Sequence, residues 1–155
     1  MPIEKLTRYL DENEVKYVTI RHSEAFTASE IAQTAHVPGK ELAKTVMVKI
    51  DGEMVMVVLP ATERIDLELL RQTTGATDVE IAHEDEFEQL FPNCQTGAMP
   101  PFGNLWDMKT LVDQQLREDE RIAFNAGTLT ELIQLSYGDY ERLVEPTVLQ
   151  IGMPA

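Results

Sequence analysis

Cysteine is almost missing from this sequence: Cys94 stands alone among 155 residues. One thiol cannot close an internal disulfide, nor can it build a cysteine metal cluster. The composition suits a reducing compartment. Positive charge is scarce as well, with 13 lysines and arginines against 27 acids and a formal net charge of −14. Such a surface repels polyanions at long range, and a protein that coats duplex DNA needs many cations. DNA is therefore not expected as a partner, whereas gripping one end of an RNA takes only a small basic pocket. Long apolar runs are lacking too. The most apolar stretch, Met54 to Pro60, is far too short to cross a bilayer. Glu4, Lys5 and Arg8 interrupt the first ten residues, which do not read as a signal peptide. A cytoplasmic protein without membrane association is the expectation.

The common catalytic signatures are absent. There is no phosphate-binding glycine loop, no His-Glu-x-x-His and no Gly-x-Ser-x-Gly. His22, His36 and His83 lie in separate segments without metal-ligand spacing. Neither a metal nor a cofactor is implied.

What is present is an irregular alternation of helix and strand patterns. Ile3, Leu6 and Leu10 repeat at helical spacing, and Val15 to Ile20 is β-rich. Thr27-Ala28-Ser29-Glu30 has the form of a capping box before a short helix ending near Ala35. Thr45 to Ile50 and Glu53 to Leu59 flank Asp51-Gly52, a hairpin turn signal. Asp66 can cap a helix over Leu67 to Thr73, with Gly75 beyond its end. Val79 to Ala82 suggests a short strand, and Glu84 to Phe91 a helix closed by Pro92. Trp106 to Val112 and Arg121 to Phe124 read as strands. Thr130 to Leu135 fits strand or helix, and Tyr137 to Val144 reads as a helix before Pro146. The pattern predicts one α/β or α+β domain over residues 1–155 with a mixed sheet.

Three features carry candidate chemistry. Lys44 opens an apolar strand. It reads either as a solvated charge that blunts a sheet edge or as a cation beside a pocket, able to hold phosphate or steady an oxyanion. The loop Gly97 to Gly103, dense in glycine and proline, is either a rigid turn or a pre-set ligand cradle. Asn125-Ala126-Gly127-Thr128 is either a plain turn or a polar strand end at a pocket mouth.

Taken in order, Ala43-Lys44-Thr45-Val46, Gly97 to Gly103 and Asn125 to Thr128 resemble the YbaK/prolyl-tRNA-editing family. His22 before Thr27 to Glu30, Val57 to Pro60, Asp66-Leu67 and Pro146 extend the resemblance over about residues 2–150. Any one of these motifs is weak; their ordered combination is specific. Members of that family are relatives of the editing domain inserted in bacterial prolyl-tRNA synthetases, and they hydrolyse the ester of mischarged tRNA. The resemblance implies a mixed, mostly antiparallel sheet, closed or nearly closed into a barrel, with helices around it. It implies Lys44 as the residue required for activity. It also implies Gly97, Ala98, Met99 and Pro101 as the loop at the substrate, Thr45, Asn125 and Gly127 near the pocket, and His22 on its border.

The implied reaction needs no protein nucleophile, because the bond is an activated ester with a vicinal ribose hydroxyl beside it. The expectation is water attack, with the Gly97 and Ala98 amides at the aminoacyl group or oxyanion and Lys44 anchoring the terminal phosphate or ribose. A general-base role would require a well-depressed Lys44 pKa. Thr45, Met47, Met99 and Pro101 are candidate pocket walls, and Cys94 is read as a packed small residue. The expected partners are the acceptor end of mischarged tRNA and an aminoacyl-tRNA synthetase that recruits the protein. The alternative is a non-catalytic binding module using the same pocket for a nucleotide, an amino acid or a protein.

Overall fold

The computed structural model describes residues 1–25 and 27–155. Its elements follow from local chemistry where caps and turns are strong. Helix α1 (Glu4–Glu12) buries Leu6 and Leu10, and β1 (Tyr17–Arg21) follows. Helix α2 (Ala28–Ala35) is capped by the Thr27 hydroxyl, which accepts from the Glu30 amide at 3.1 Å and donates to the Glu30 carboxylate at 2.9 Å. Strands β2 (Leu42–Ile50) and β3 (Glu53–Pro60) form the expected hairpin. Its turn puts Asp51 at φ 50° and Gly52 at φ 85°, the paired left-handed conformation of a tight two-residue turn. The Asp51 carboxylate also accepts from the Thr77 and Asp78 amides and so ties the turn to the residues that lead into the strand at 79–81.

After β4 (Glu63–Ile65), helix α3 (Leu67–Thr74) is capped by Asp66 and ends at Gly75, φ 72°. Strand β5 (Val79–Ile81) and the one-turn helix α4 (Glu84–Phe87) follow. Next come β6 (Thr110–Asp113), β7 (Arg121–Asn125) and β8 (Glu131–Ser136). The chain closes with α5 (Tyr137–Val144), β9 (Thr147–Leu149) and β10 (Gly152–Pro154).

Several boundaries differ from the sequence reading. The strand expected from Trp106 begins only at Thr110, because residues 103–106 form a 3-10 turn that Asp107 ends at φ 55°. The helix expected to run to Phe91 relaxes into a 3-10 turn after Phe87. Of residues 130–135, which fit either class, Thr130 is in a turn and 131–135 are strand: Leu132, Ile133 and Leu135 are buried between β1 and β7.

The main sheet has the order β1-β8-β7-β2-β3-β6-β9, with β5 joining β2, and β4 pairs with β10 separately. Most pairings are antiparallel; β2–β7, β3–β6 and β6–β9 are parallel. The sheet is therefore mixed, as expected. Among the described residues β1 and β9 are the free ends of its hydrogen-bonded path, and no pairing joins them. Alternation along β2 feeds different packing groups. Ala43 and Met47 enter the main core with Phe102, Phe124 and Tyr140. Leu42 packs with Ile31 of α2, and Val48 packs with Leu70 of α3.

Candidate functional site

Strand β2 keeps β3 along one edge for its whole length. Its other edge is shared. β7 pairs with Leu42 and Ala43, and β5 pairs with Val48 to Ile50. The parallel β2–β7 register ends at Ala43–Phe124, so the two strands part where Lys44 and Asn125 come next. Sheets that part in this way open a crevice at the strand ends. Here the crevice is a cavity of about 150 Å³ lined by Ala28 and Ile31 of α2, Leu42 to Thr45 of β2, Gly97 and Asn125. A dry cavity of roughly this size accommodates a benzene-sized group.

Lys44 and Thr45 reach it from opposite faces of β2, as successive strand residues must. Lys44 lies inside the strand, two residues after its start, and not at its opening as the sequence suggested. The side chain is half-buried. Burial lowers its pKa below the usual lysine value, and the negative charge of Glu63 opposes that shift. Thr45 Oγ1 and Asn125 Oδ1 are buried and lack hydrogen-bond partners among the described residues. Buried polar atoms are seldom left unpaired, and exceptions call for an explanation such as a ligand.

The 95–98 segment is fixed from below. The Gln95 amide donates to Gly127 O at 2.8 Å, the Gly127 amide donates to Ala98 O at 3.0 Å, and Gln95 Oε1 accepts from the Leu129 amide. Asn125 Nδ2 donates to Gly97 O at 3.4 Å. Gly97 is exposed at φ 88°, and the space beyond its α-carbon is open. The Ala98 amide is engaged, donating to Gln95 O at 3.0 Å. This corrects the expectation that it faces an oxyanion.

The other expected residues are placed differently. Ala98, Met99 and Pro101 are buried outside the cavity lining, as is Met47. Met99 packs in the main core. Gly127 backs the loop: at φ 92° it faces Ile3, whose side chain a β-carbon there would overlap. His22 lies on a different cavity, with Arg21, Thr130 and Glu131. Its Nδ1 is 2.8 Å from Ser23 O, and its Nε2 is buried without a partner among the described residues. Sequence reasoning passed over Glu63, which lies between Pro60 and Asp66 in a stretch to which no element was assigned. It also missed Ala28 and Ile31, which a capping-box pattern marks only as helix.

Residues 22–143 match the model of the aminoacyl-tRNA editing domain. The chain belongs to that family. It is 33% identical over 132 residues to the multifunctional Ser/Thr-tRNA deacylase ProXp-y of Escherichia coli K12, covering 82% of this chain and 77% of that protein. It is 26% identical over 142 residues to the prolyl-tRNA editing protein ProX of Acetoanaerobium sticklandii, covering 88% and 86%. In fold it is similar to the crystal structure of hypothetical protein APE2540, at a TM-score of 0.85 and 20% identity, covering 97% of this chain and all of that one. Among the described residues no helix is long and apolar enough to cross a membrane.

Proposed function

We propose that this chain, acting as one domain over residues 1–155, hydrolyses the ester joining a wrongly attached amino acid to the terminal ribose of tRNA. The observation that carries the reading is the parting of β2 and β7. There a half-buried lysine and two unpartnered polar atoms border a cavity sized for a small acyl group.

In this reading the aminoacyl group enters the cavity and the ribose and terminal phosphate stay at its mouth. Lys44 anchors them as a cation and fixes the ester for attack, a proximity effect. Glu63 favours the ammonium form, which suits an anchor better than a base. The amide of Gly97, an exposed residue, is the proposed donor to charge developing on the carbonyl oxygen. The vicinal ribose hydroxyl orients the attacking water, so no covalent acyl-enzyme forms. Asn125 Oδ1 can accept from the substrate's ammonium, and Thr45 Oγ1 can exchange hydrogen bonds with a polar side chain. A large apolar side chain would leave these atoms unpaired and overfill the cavity. The relative named for serine and threonine makes those esters the first to try.

The substrate would be engaged at its acceptor end only, in the cytoplasm, consistent with a net charge of −14. Recruitment by an aminoacyl-tRNA synthetase would supply any wider grip on RNA. The test is deacylation of tRNAs carrying serine, threonine, alanine, cysteine or proline, with Lys44→Ala alongside. Loss of one or two esters with wild type, abolished in the variant, is expected. No hydrolysis of any ester by the folded protein would overturn the reading and favour a non-catalytic binding module.

A further inference from the structure

We infer that the groove between α1 and the turn at 103–106 is the track for the single-stranded 3′ end of the RNA substrate: a base stacks on Trp106, and Lys5 holds a neighbouring phosphate. The inference rests on the deacylase reading and extends it from the terminal ribose to the nucleotides before it.

The cavity at Lys44, about 150 Å³, has room for an acyl group. Whatever precedes the terminal ribose must lie on the surface outside it. The groove is far larger, about 830 Å³, within the range of roughly 300–1,000 Å³ that ligand clefts occupy. Ile3, Lys5, Arg8 and Tyr9 contribute to its lining, as do Asn93 and Trp106.

Groove and cavity adjoin in two ways. The Ile3 amide donates to Ala126 O at 3.0 Å, and the residue before Ala126 is Asn125 of the cavity lining. The chain also runs directly from Asn93 in the groove to Gly97 at the cavity, a span of at most about 14 Å of backbone. Asn93, Gln95, Thr96 and Gly97 are all exposed, so the surface between the two is open. It lies within reach of the nucleotides next to the terminal one.

Trp106 is the one tryptophan of the chain, and it is half-buried. Phe91 packs edge-on against its ring, with centroids 4.9 Å apart, and fixes it in place. Lys5 Nζ lies 5.8 Å from the Trp106 ring centroid, within cation–π reach. Among the described residues Lys5 forms no ion pair. An aromatic face with an uncommitted cation beside it is the combination that holds single-stranded nucleic acid whatever its sequence. Arg8, by contrast, is paired with Glu4, and Glu12 also lines the groove. Acids thus match cations there, which limits phosphate contacts to Lys5 and fits a chain of net charge −14. A protein partner would value the same tryptophan, but only the substrate's own strand has to cross the surface beside the cavity.

The test uses Trp106 as its own reporter. Tryptophan emission is followed while the protein is titrated with an uncharged RNA stem-loop ending in a single-stranded 3′ tail, and with the same stem-loop made blunt. Saturable quenching by the tailed RNA alone is expected. Lys5→Ala should weaken that binding and lower the slope of log affinity against log salt by about 0.7, the value of one phosphate contact on a single strand. Trp106→Leu should lower kcat/KM for aminoacyl-tRNA roughly ten-fold relative to aminoacyl-adenosine, which has no tail. Lys5→Ala, at an exposed position, carries the test if Trp106→Leu does not fold. Absent quenching, equal quenching by tailed and blunt RNA, or an equal fall in rate on both esters overturns the inference. An emission change that follows protein concentration without RNA would assign the groove to a second copy of the chain and overturn it as well. If wild type hydrolyses no ester, the deacylase reading fails by itself, and quenching by the tailed RNA still decides whether the groove holds a single strand.

Discussion

Tyr140 donates a 2.8 Å hydrogen bond from its phenol to the carbonyl oxygen of Pro101, in the buried interior. That contact ties helix α5 to the end of the glycine-proline loop. Tyr140 is fully enclosed, and its ring packs edge-on against Phe102 with centroids 5.4 Å apart. Tyr140→Phe keeps the packing and leaves the Pro101 carbonyl unpaired. A loss of about 1–3 kcal/mol is expected, since a buried acceptor without a donor bears its full desolvation penalty. Urea denaturation would measure it; an unchanged midpoint would mean that the carbonyl finds another donor.

Gly127 joins the loop to α1. Its φ of 92° and its closeness to Ile3 leave no place for a side chain. Gly127→Ala is expected to destabilise by about 1–3 kcal/mol through backbone strain, with a further contribution from the overlap. Adding Ile3→Ala should recover the overlap and not the strain, so the double-mutant cycle should show a favourable coupling. Strict additivity would refute the proposed contact.

Cys94 lies just before the loop but is chemically quiet. Burial pushes its thiol up to about 11, far above neutral pH. Since the thiolate is the nucleophile, alkylation by iodoacetamide at pH 8 should be slow and should accelerate on unfolding. Cys94→Ser should retain at least about half the deacylation rate, a change well under 1 kcal/mol in activation free energy. Rapid labelling of the native protein would contradict this.

Asp119 offers a test of stability against pH. Burial first, then the charges of Glu41 and Glu118, raise its pKa, with Lys40 opposing. Its Oδ2 is buried without a hydrogen-bond partner among the described residues. A carboxylate whose folded pKa is raised destabilises the fold at pH above both its pKa values. The penalty fades as pH falls and vanishes below the unfolded value. Asp119→Asn should therefore raise the melting temperature at pH 7, with the gain shrinking toward pH 3. A gain that is constant with pH would point to packing and not charge.

The sequence exposes those parts of the fold that short-range chemistry decides. Asp51-Gly52 announces the hairpin because two consecutive left-handed residues suit few side chains. Thr27 and Asp66 cap their helices through their own side chains. Strands β4, β9 and β10 escape notice. Each has three residues, and their pairing is dictated by partners distant in sequence. The site was legible only in pieces. Lys44, Thr45, Gly97 and Asn125 do meet at one cavity, while Met99 and Pro101 pack behind it and His22 sits elsewhere. Glu63 was invisible because its burial comes from β10, which no local pattern around Thr62-Glu63-Arg64 could reveal.

The divided edge of β2 has a consequence for how such a site can change. The gap holding the cavity is bounded by two short ladders, two residue pairs with β7 and three with β5. Lengthening or trimming either ladder alters the opening without replacing any residue that lines it. Substrate choice can therefore drift through mutations in strand ends and their packing, while Lys44 and Asn125 stay fixed. Comparative sequencing of variants selected for a new ester should find changes near Val79 to Ile81 and Ala123 to Phe124 as often as in the lining itself.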